Sequence, residues 1–394
     1  MTVDPPASAL RGRSLPGTWW GIALIIAVPV VLLAAAAIVV LLLTVRPTDA
    51  KERIELIKAG LGVGAGTGGV VALVLTGRRQ WATEDANRVT ELDAIERRAT
   101  ELYAKAAEQL GSDYAPVRLA GFYALERLAD THPVQQQTVA NLLCAYLRMP
   151  FDHRGEPTDV NGPDPTFRVT AAHQQEREVR LTAQTILTDH LATDEHPDAP
   201  VAQRWEEITL NLAGATLIDF KLQYSWLARA TFAGATFTGD LTEFTYTMFE
   251  GHTLFLDTTF LAPVSFRGTN FADFITFSRA TFQKRATFND AVFEHQVYFN
   301  DATFAGETDF AGSTFSTRIS RPPGVQFDRA RFEDTASFRE VTVADTQVTF
   351  TGTTFATVNF DGAEFDQGVI GLKDTSAVAQ LAEMDSTTVS QPLG

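Results

Sequence analysis

The segment Phe266-Arg-Gly-Thr-Asn-Phe271-Ala-Asp-Phe-Ile-Thr-Phe277-Ser-Arg-Ala-Thr-Phe282-Gln-Lys-Arg-Ala-Thr-Phe288 returns an anchoring phenylalanine after alternate steps of five and six residues. The rhythm extends both ways. Leu212, Leu217, Leu222, Leu227, Phe232 and Phe237 stand five apart, and after a slip at Phe244 the steps alternate. Phe249, Phe255, Phe260, Phe266, Phe271, Phe277, Phe282, Phe288, Phe293, Phe299, Phe304, Phe310 and Phe315 then make an eleven-residue repeat. Two positions before the anchors the residue is usually small or β-branched, as at Ala215, Ala235, Thr258, Ala280, Val297 and Ser313.

A repeat of eleven could be a right-handed helical supercoil. In an ordinary helix, however, two Phe five residues apart lie roughly 140° apart and cannot share a seam. Of the 87 residues from Arg229 to Phe315, 16 are Thr and 6 are Gly, both weak helix formers. A flat strand fails too, because a step of five alternates faces. A chain that turns a corner after each short extended piece satisfies the spacing, with every anchor pointing to one axis.

The units Ala215-Thr-Leu217-Ile-Asp, Ala230-Thr-Phe232-Ala-Gly, Ala235-Thr-Phe237-Thr-Gly and Ala302-Thr-Phe304-Ala-Gly resemble the pentapeptide repeat family. The alternating five and six is similar to its Phe-rich variant, common in actinobacteria. The resemblance covers about 160 residues and implies a right-handed quadrilateral parallel β-helix, four units per turn, with the large residue and the small one before it inside. Roughly seven turns at about 4.8 Å would give a cylinder on the order of 35 Å long. The structural repeat-core residues are the anchors Leu212, Leu217, Leu222, Leu227, Phe232, Phe237, Phe249, Phe260, Phe266, Phe271, Phe277, Phe282, Phe288, Phe293, Phe299, Phe304, Phe310 and Phe315.

Around this domain the sequence predicts an α+β, multi-domain chain. Residues 1–17 read as a disordered tail. No charge occurs from Ser14 to Val45, and 18–45 reads as a first transmembrane helix, followed by a short loop at 46–58. The uncharged, glycine-rich run 59–77 reads as a second transmembrane helix, in which Gly60, Gly64 and Gly68 would bring two copies together in a homo-oligomer. The spelling Gly64-x-Gly66-x-x-Gly69 is no dinucleotide site, because apolar residues and two arginines follow it instead of a βαβ unit. The expected setting is the plasma membrane, multi-pass and integral, with the remainder facing the cytoplasm, since the single Cys144 provides no intramolecular disulfide.

A helical block at 78–151 shows three stripes: Val89, Leu92, Ile95 or Glu96, Ala99, Leu102, Ala106 and Leu110; then Val117, Ala120, Ala124 and Leu128; then Val139, Leu142, Leu143, Tyr146 and Leu147. The pairing resembles HEAT-like hairpins. A linker and a helix with Val179, Ala183, Ile186, Leu187 and Leu191 on one side occupy 152–203, expected to cap the repeats at 204–371. Loops are expected at Ser316 to Val325 and Arg339 to Thr349, and a tail at 372–394 with a short helix around Ala377 to Glu383.

Catalytic, cofactor-binding and metal residues are expected to be none. The seven histidines lack metal-ligand spacing, and His190 and His196, straddling a helix end, read as solvated. The function expected is therefore a non-enzymatic interaction or scaffold module for an unidentified protein partner. Two alternatives stand beside it. The resemblance implies that some relatives mimic duplex DNA and inhibit DNA gyrase; here Val201 to Gly371 carries 21 Asp/Glu against 12 Lys/Arg, a modest excess broken by arginines that disfavours nucleic-acid machinery as target. An enzyme with its site in the helical block is the other.

Overall fold

The computed structural model describes residues 50–153, 170–193, 203–316 and 324–373, with isolated positions before residue 50. The chain divides into two units, Met1–Arg97 and Arg98–Gly394. Among the described residues four α-helices precede the strands: α1 Ala50–Leu110, α2 Ala115–Thr131, α3 Gln136–Leu147 and α4 Ala171–Leu191. A 3-10 turn, Pro133–Gln135, leads into α3.

The first correction concerns α1. Residues 50–58, expected in a loop, and 59–77, expected as a separate span, are one uninterrupted helix with the charged segment to Leu110. Helix formers on both sides of the glycine run carry the ladder through it. Among the described residues no helix is long and apolar enough to cross a membrane, which overturns the multi-pass plasma-membrane location and its cytoplasm-facing orientation. Apart from those isolated positions before residue 50, the first expected span, 18–45, the 1–17 tail, the 154–169 linker and the tail beyond residue 373 lie outside the described residues, as do the surroundings of Gly60, Gly64 and Gly68.

In the second unit, the last turns of α1 pack with α2, α3 and α4 in a small helical core. Helix α2 starts with Pro in its first turn, where a missing N–H costs nothing. Its buried face holds Gly121, Phe122, Leu125, Leu128 and Ala129, whereas Val117 is 37% exposed and Ala120 is exposed. The expected stripe is thus rotated. Gly121 explains the shift: a Cβ there would lie 3.0 Å from the Ala106 carbonyl oxygen, so the glycine admits close approach of α1. Correspondingly Ala99 and Ala106 are buried, while Ile95 and Leu102 of the expected stripe are exposed. Thr170 caps α4 by accepting the His173 N–H.

From Thr209 the chain winds into a parallel β-solenoid. Its short strands stack into one face of eight strands, one of seven, and two further faces merged into a single sheet because Arg331–Ser337 and Thr354–Asn359 run around a corner. Val264 pairs with Ala286, and Ala286 with Thr308, a step of 22 residues (286 minus 264). That is two eleven-residue repeats per turn. The step grows to 28 where Thr314 pairs with Thr342 (342 minus 314), and the excess falls between Ser316 and Val325, where 317–323 lie outside the described residues. The second expected loop, Arg339 to Thr349, is instead regular: it carries strands Thr342–Ala344 and Val348–Thr349. Val343 stands there between Phe315 and Phe365. A β-branched residue fills the position that a search for phenylalanine leaves blank.

Candidate functional site

The solenoid interior is four columns of stacked rings. Phe232, Phe255, Phe277, Phe299, Phe327 and Phe350 form one, with centroids 4.7 to 5.1 Å apart. Phe237, Phe260, Phe282, Phe304, Phe332 and Phe355 form the second, at 4.6 to 4.9 Å. Phe244, Phe266, Phe288, Phe310, Phe338 and Phe360 form the third, at 4.6 to 5.2 Å. Phe249, Phe271, Phe293 and Phe315 form the fourth. The spacing equals that of neighbouring strands, so backbone pairing and ring stacking set the same pitch. Between columns the rings meet edge-on, as Phe255 does with Phe266 at 83°.

Every one of the eighteen repeat-core residues named from the sequence is at most 1% exposed. Further core positions escaped that reading, among them Phe327, Phe332, Phe338, Phe350, Phe355 and Phe360 beyond the insertion, and two before it. Phe244, set aside as a slip, belongs to the third column. Phe220 lies edge-on beneath Phe232 and Phe237, filling room left by the four leucines of the first turn. The slip itself is a corner at Gly239 (φ 98°), where a Cβ would fall 2.3 Å from Asp219 Oδ1, the same atom that accepts the Asp240 N–H.

Several inward hydroxyls are satisfied by the turn below. Thr258 and Thr269 donate to the carbonyls of Phe232 and Phe244 at 2.8 and 2.7 Å, and Ser313 to that of Phe288 at 2.6 Å. This is why the small position tolerates Thr and Ser inside an aromatic core.

Outward side chains form rows along the solenoid. Thr216, Thr236, Thr259, Thr281, Thr303, Arg331 and Thr354 follow one another in register on one face. The corner beside it alternates in charge. Arg279 grips Asp257 through two bonds of 2.6 and 2.8 Å, and Arg329 grips Asp301 through two of 2.7 Å. These hydrogen bonds hold both carboxyls below their ordinary range, and both guanidinium groups are raised in turn. Elsewhere Arg267 lies 3.8 Å from Asp290 and Arg285 lies 3.6 Å from Glu307. The surface is ion-paired, not a run of bare carboxylates.

The helical block meets the first turn through side chains that imitate a strand. The Gln184 amide donates to the Ile218 carbonyl at 2.6 Å and accepts the Ile218 N–H at 2.9 Å. Gln137 does the same to Thr209, at 2.9 Å each way. Ala192 forms an antiparallel bridge with Ser225, and Arg177 pairs with Asp219 at 3.1 Å. Behind this contact, buried Arg180 donates to Glu176 and to the carbonyls of Leu147 and Met149, meeting the free end of α3. Burial lowers its pKa, opposed by Glu176. Glu176 also accepts from Tyr146 and Arg118.

Among the described residues no group of three or more His, Cys, Asp or Glu could hold a metal ion. Winding does bring His252 and His295 to opposite oxygens of Asp273, at 3.3 and 3.9 Å, a part-buried arrangement visible only once the 22-residue turn is known. Cys144 is buried, and burial pushes its thiol up to about 11, so it is inert as a nucleophile at neutral pH. His190, read as solvated, is buried; His196 lies outside the described residues.

No curated protein matches the chain. The family profile for pentapeptide repeats matches residues 244–292 and 327–370, in 9 copies. Those two stretches bracket the insertion and fall wholly within the four-column solenoid, so profile and geometry agree that these stretches are pentapeptide repeats.

Proposed function

We propose that this chain is a non-enzymatic binding module that presents the solenoid's lateral surface to a protein partner. The observation that supports it is the outward rows. They repeat at strand spacing on a core that holds each row in register, so a partner meets a preformed surface and little ordering entropy is lost on binding. The duplex-mimic alternative needs continuous unpaired carboxylates, and the Asp257–Arg279 and Asp301–Arg329 pairs weigh against it.

The test compares partners that co-purify at fixed stoichiometry with the full chain and with two surface variants. One carries Thr259→Arg and Thr281→Arg, on the row where Arg331 already stands; the other carries Ser265→Arg and Thr287→Arg on the neighbouring face. A protein retained by the parent and lost from one variant, with thermal unfolding unchanged, is the expected result. Absence of any stoichiometric protein, or equal retention by both variants and the parent, would sink the reading.

A further inference from the structure

Where α2 and α4 meet the segment that opens the solenoid, the side chain of His190 is 1% exposed. Its ring lies flat on Trp205, centroids 4.3 Å apart at 13°. Nδ1 is 2.5 Å from the Gln203 carbonyl oxygen, and Nε2 is 3.1 Å from Glu126 Oε1. A carbonyl oxygen only accepts, and so does an ionised carboxylate. A neutral imidazole has one N–H and would turn a lone pair on the other oxygen; an imidazolium donates to both. The charged groups facing the ring come from α2. They are Glu126 and Asp130, the latter 3.6 Å from Nδ1 and also accepting the Trp205 indole N–H at 3.1 Å. One buried cation between two carboxylates is a paired arrangement; a neutral ring there would leave acceptors against a lone pair.

The same residue anchors the junction in the backbone. The Trp205 N–H donates to the His190 carbonyl at 2.8 Å, and three residues on, the Thr193 N–H and hydroxyl both donate to the Tyr224 carbonyl at 2.7 Å. We infer that His190 is a proton-operated latch: its imidazolium fastens the helical block to the first turn of the solenoid, and loss of one proton releases that fastening. The latch is therefore fastened while the ring holds both protons and released when one is lost.

The experiment uses the full chain. Imidazole 15N resonances and hydrogen exchange at the Thr193 and Trp205 amides, corrected for intrinsic exchange, are followed from about pH 5 to pH 8, the range of histidine titration. Expected are two protonated ring nitrogens at the acidic end and a fall in protection at both amides of roughly tenfold to a hundredfold with rising pH, as one charge-assisted bond is lost. The Phe288 amide, which donates to Asp309 deep in the solenoid, should stay constant. Glu126→Gln supplies an amide that can donate to a neutral Nε2, so this variant should fold and lose the pH dependence. A singly protonated ring throughout, protection that ignores pH, or an unchanged pH dependence in Glu126→Gln would each overturn the latch.

Discussion

Phe288 sits on Phe266 and under Phe310, at 4.9 and 4.6 Å, and touches Phe277 and Phe299 edge-on at 5.6 Å each. Phe288→Ala removes a ring that four neighbours have no freedom to replace, and should cost about 3–5 kcal/mol in denaturant unfolding. Thr242 is the opposite case. Its hydroxyl is buried without a partner, and the turns above hold Val264 and Ala286 at the same place. Thr242→Val should stabilise by about 1 kcal/mol, read as a higher unfolding midpoint. Cys144 should resist thiol reagents in the native protein at neutral pH and react only under unfolding conditions, which timed labelling with a chromogenic disulfide would show. Single positions were legible where side-chain size alone decides: an inward Phe every half-repeat has no other use. His190 was not, because its burial depends on Glu126, which lies 64 residues away and is brought to it only by the packing of α2 on α4.

At the scale of elements, the solenoid strands were readable because each is three residues or so of a fixed pattern, and the misreadings came where the pattern changed residue type. Val343 in place of Phe hid the turn at 339–349. In α2 the aliphatic stripe gave the wrong face because Gly121 and Phe122, not Val117, determine the approach to α1. In α1 the glycine run looked like a separate element, although a helix flanked by good formers continues through it. What no local pattern announces is the way the first turn is closed. Its strands would expose unpaired N–H and C=O groups, a template for edge-to-edge pairing. Gln184 and Gln137 occupy two of those edges with paired amide bonds. Gln184→Ala leaves the buried Ile218 N–H and C=O without partners, at a cost of about 2–4 kcal/mol. Light scattering should then show concentration-dependent association that the parent lacks; a variant that stays monomeric and equally stable would show that the contact does not guard the edge.

Over the whole molecule the formal charge of -16 suggests an acidic surface, yet the solenoid arranges its charges as ladders. Sequence counts gave the excess correctly and could not give the pairing, since Asp257 and Arg279 are 22 residues apart and become neighbours only through one turn of winding. The pairing makes a prediction with a definite sign. Hydrogen bonds from Arg279 and Arg329 lower the Asp257 and Asp301 carboxyls below their values in an unfolded chain. A depressed carboxyl contributes stability that is present above its unfolded value and is lost as pH falls through the folded one. Thermal unfolding of the parent should therefore become easier as pH drops below about 4, where free aspartate begins to take up protons. Asp257→Asn with Asp301→Asn should show a shallower acid loss and little change at neutral pH, because exposed pairs are worth little there. High salt should flatten the difference between the two proteins, as screening demands for charges at the surface. If the doubly substituted chain instead loses stability with pH as steeply as the parent, the ladders are bystanders, and the acid sensitivity arises elsewhere in the chain.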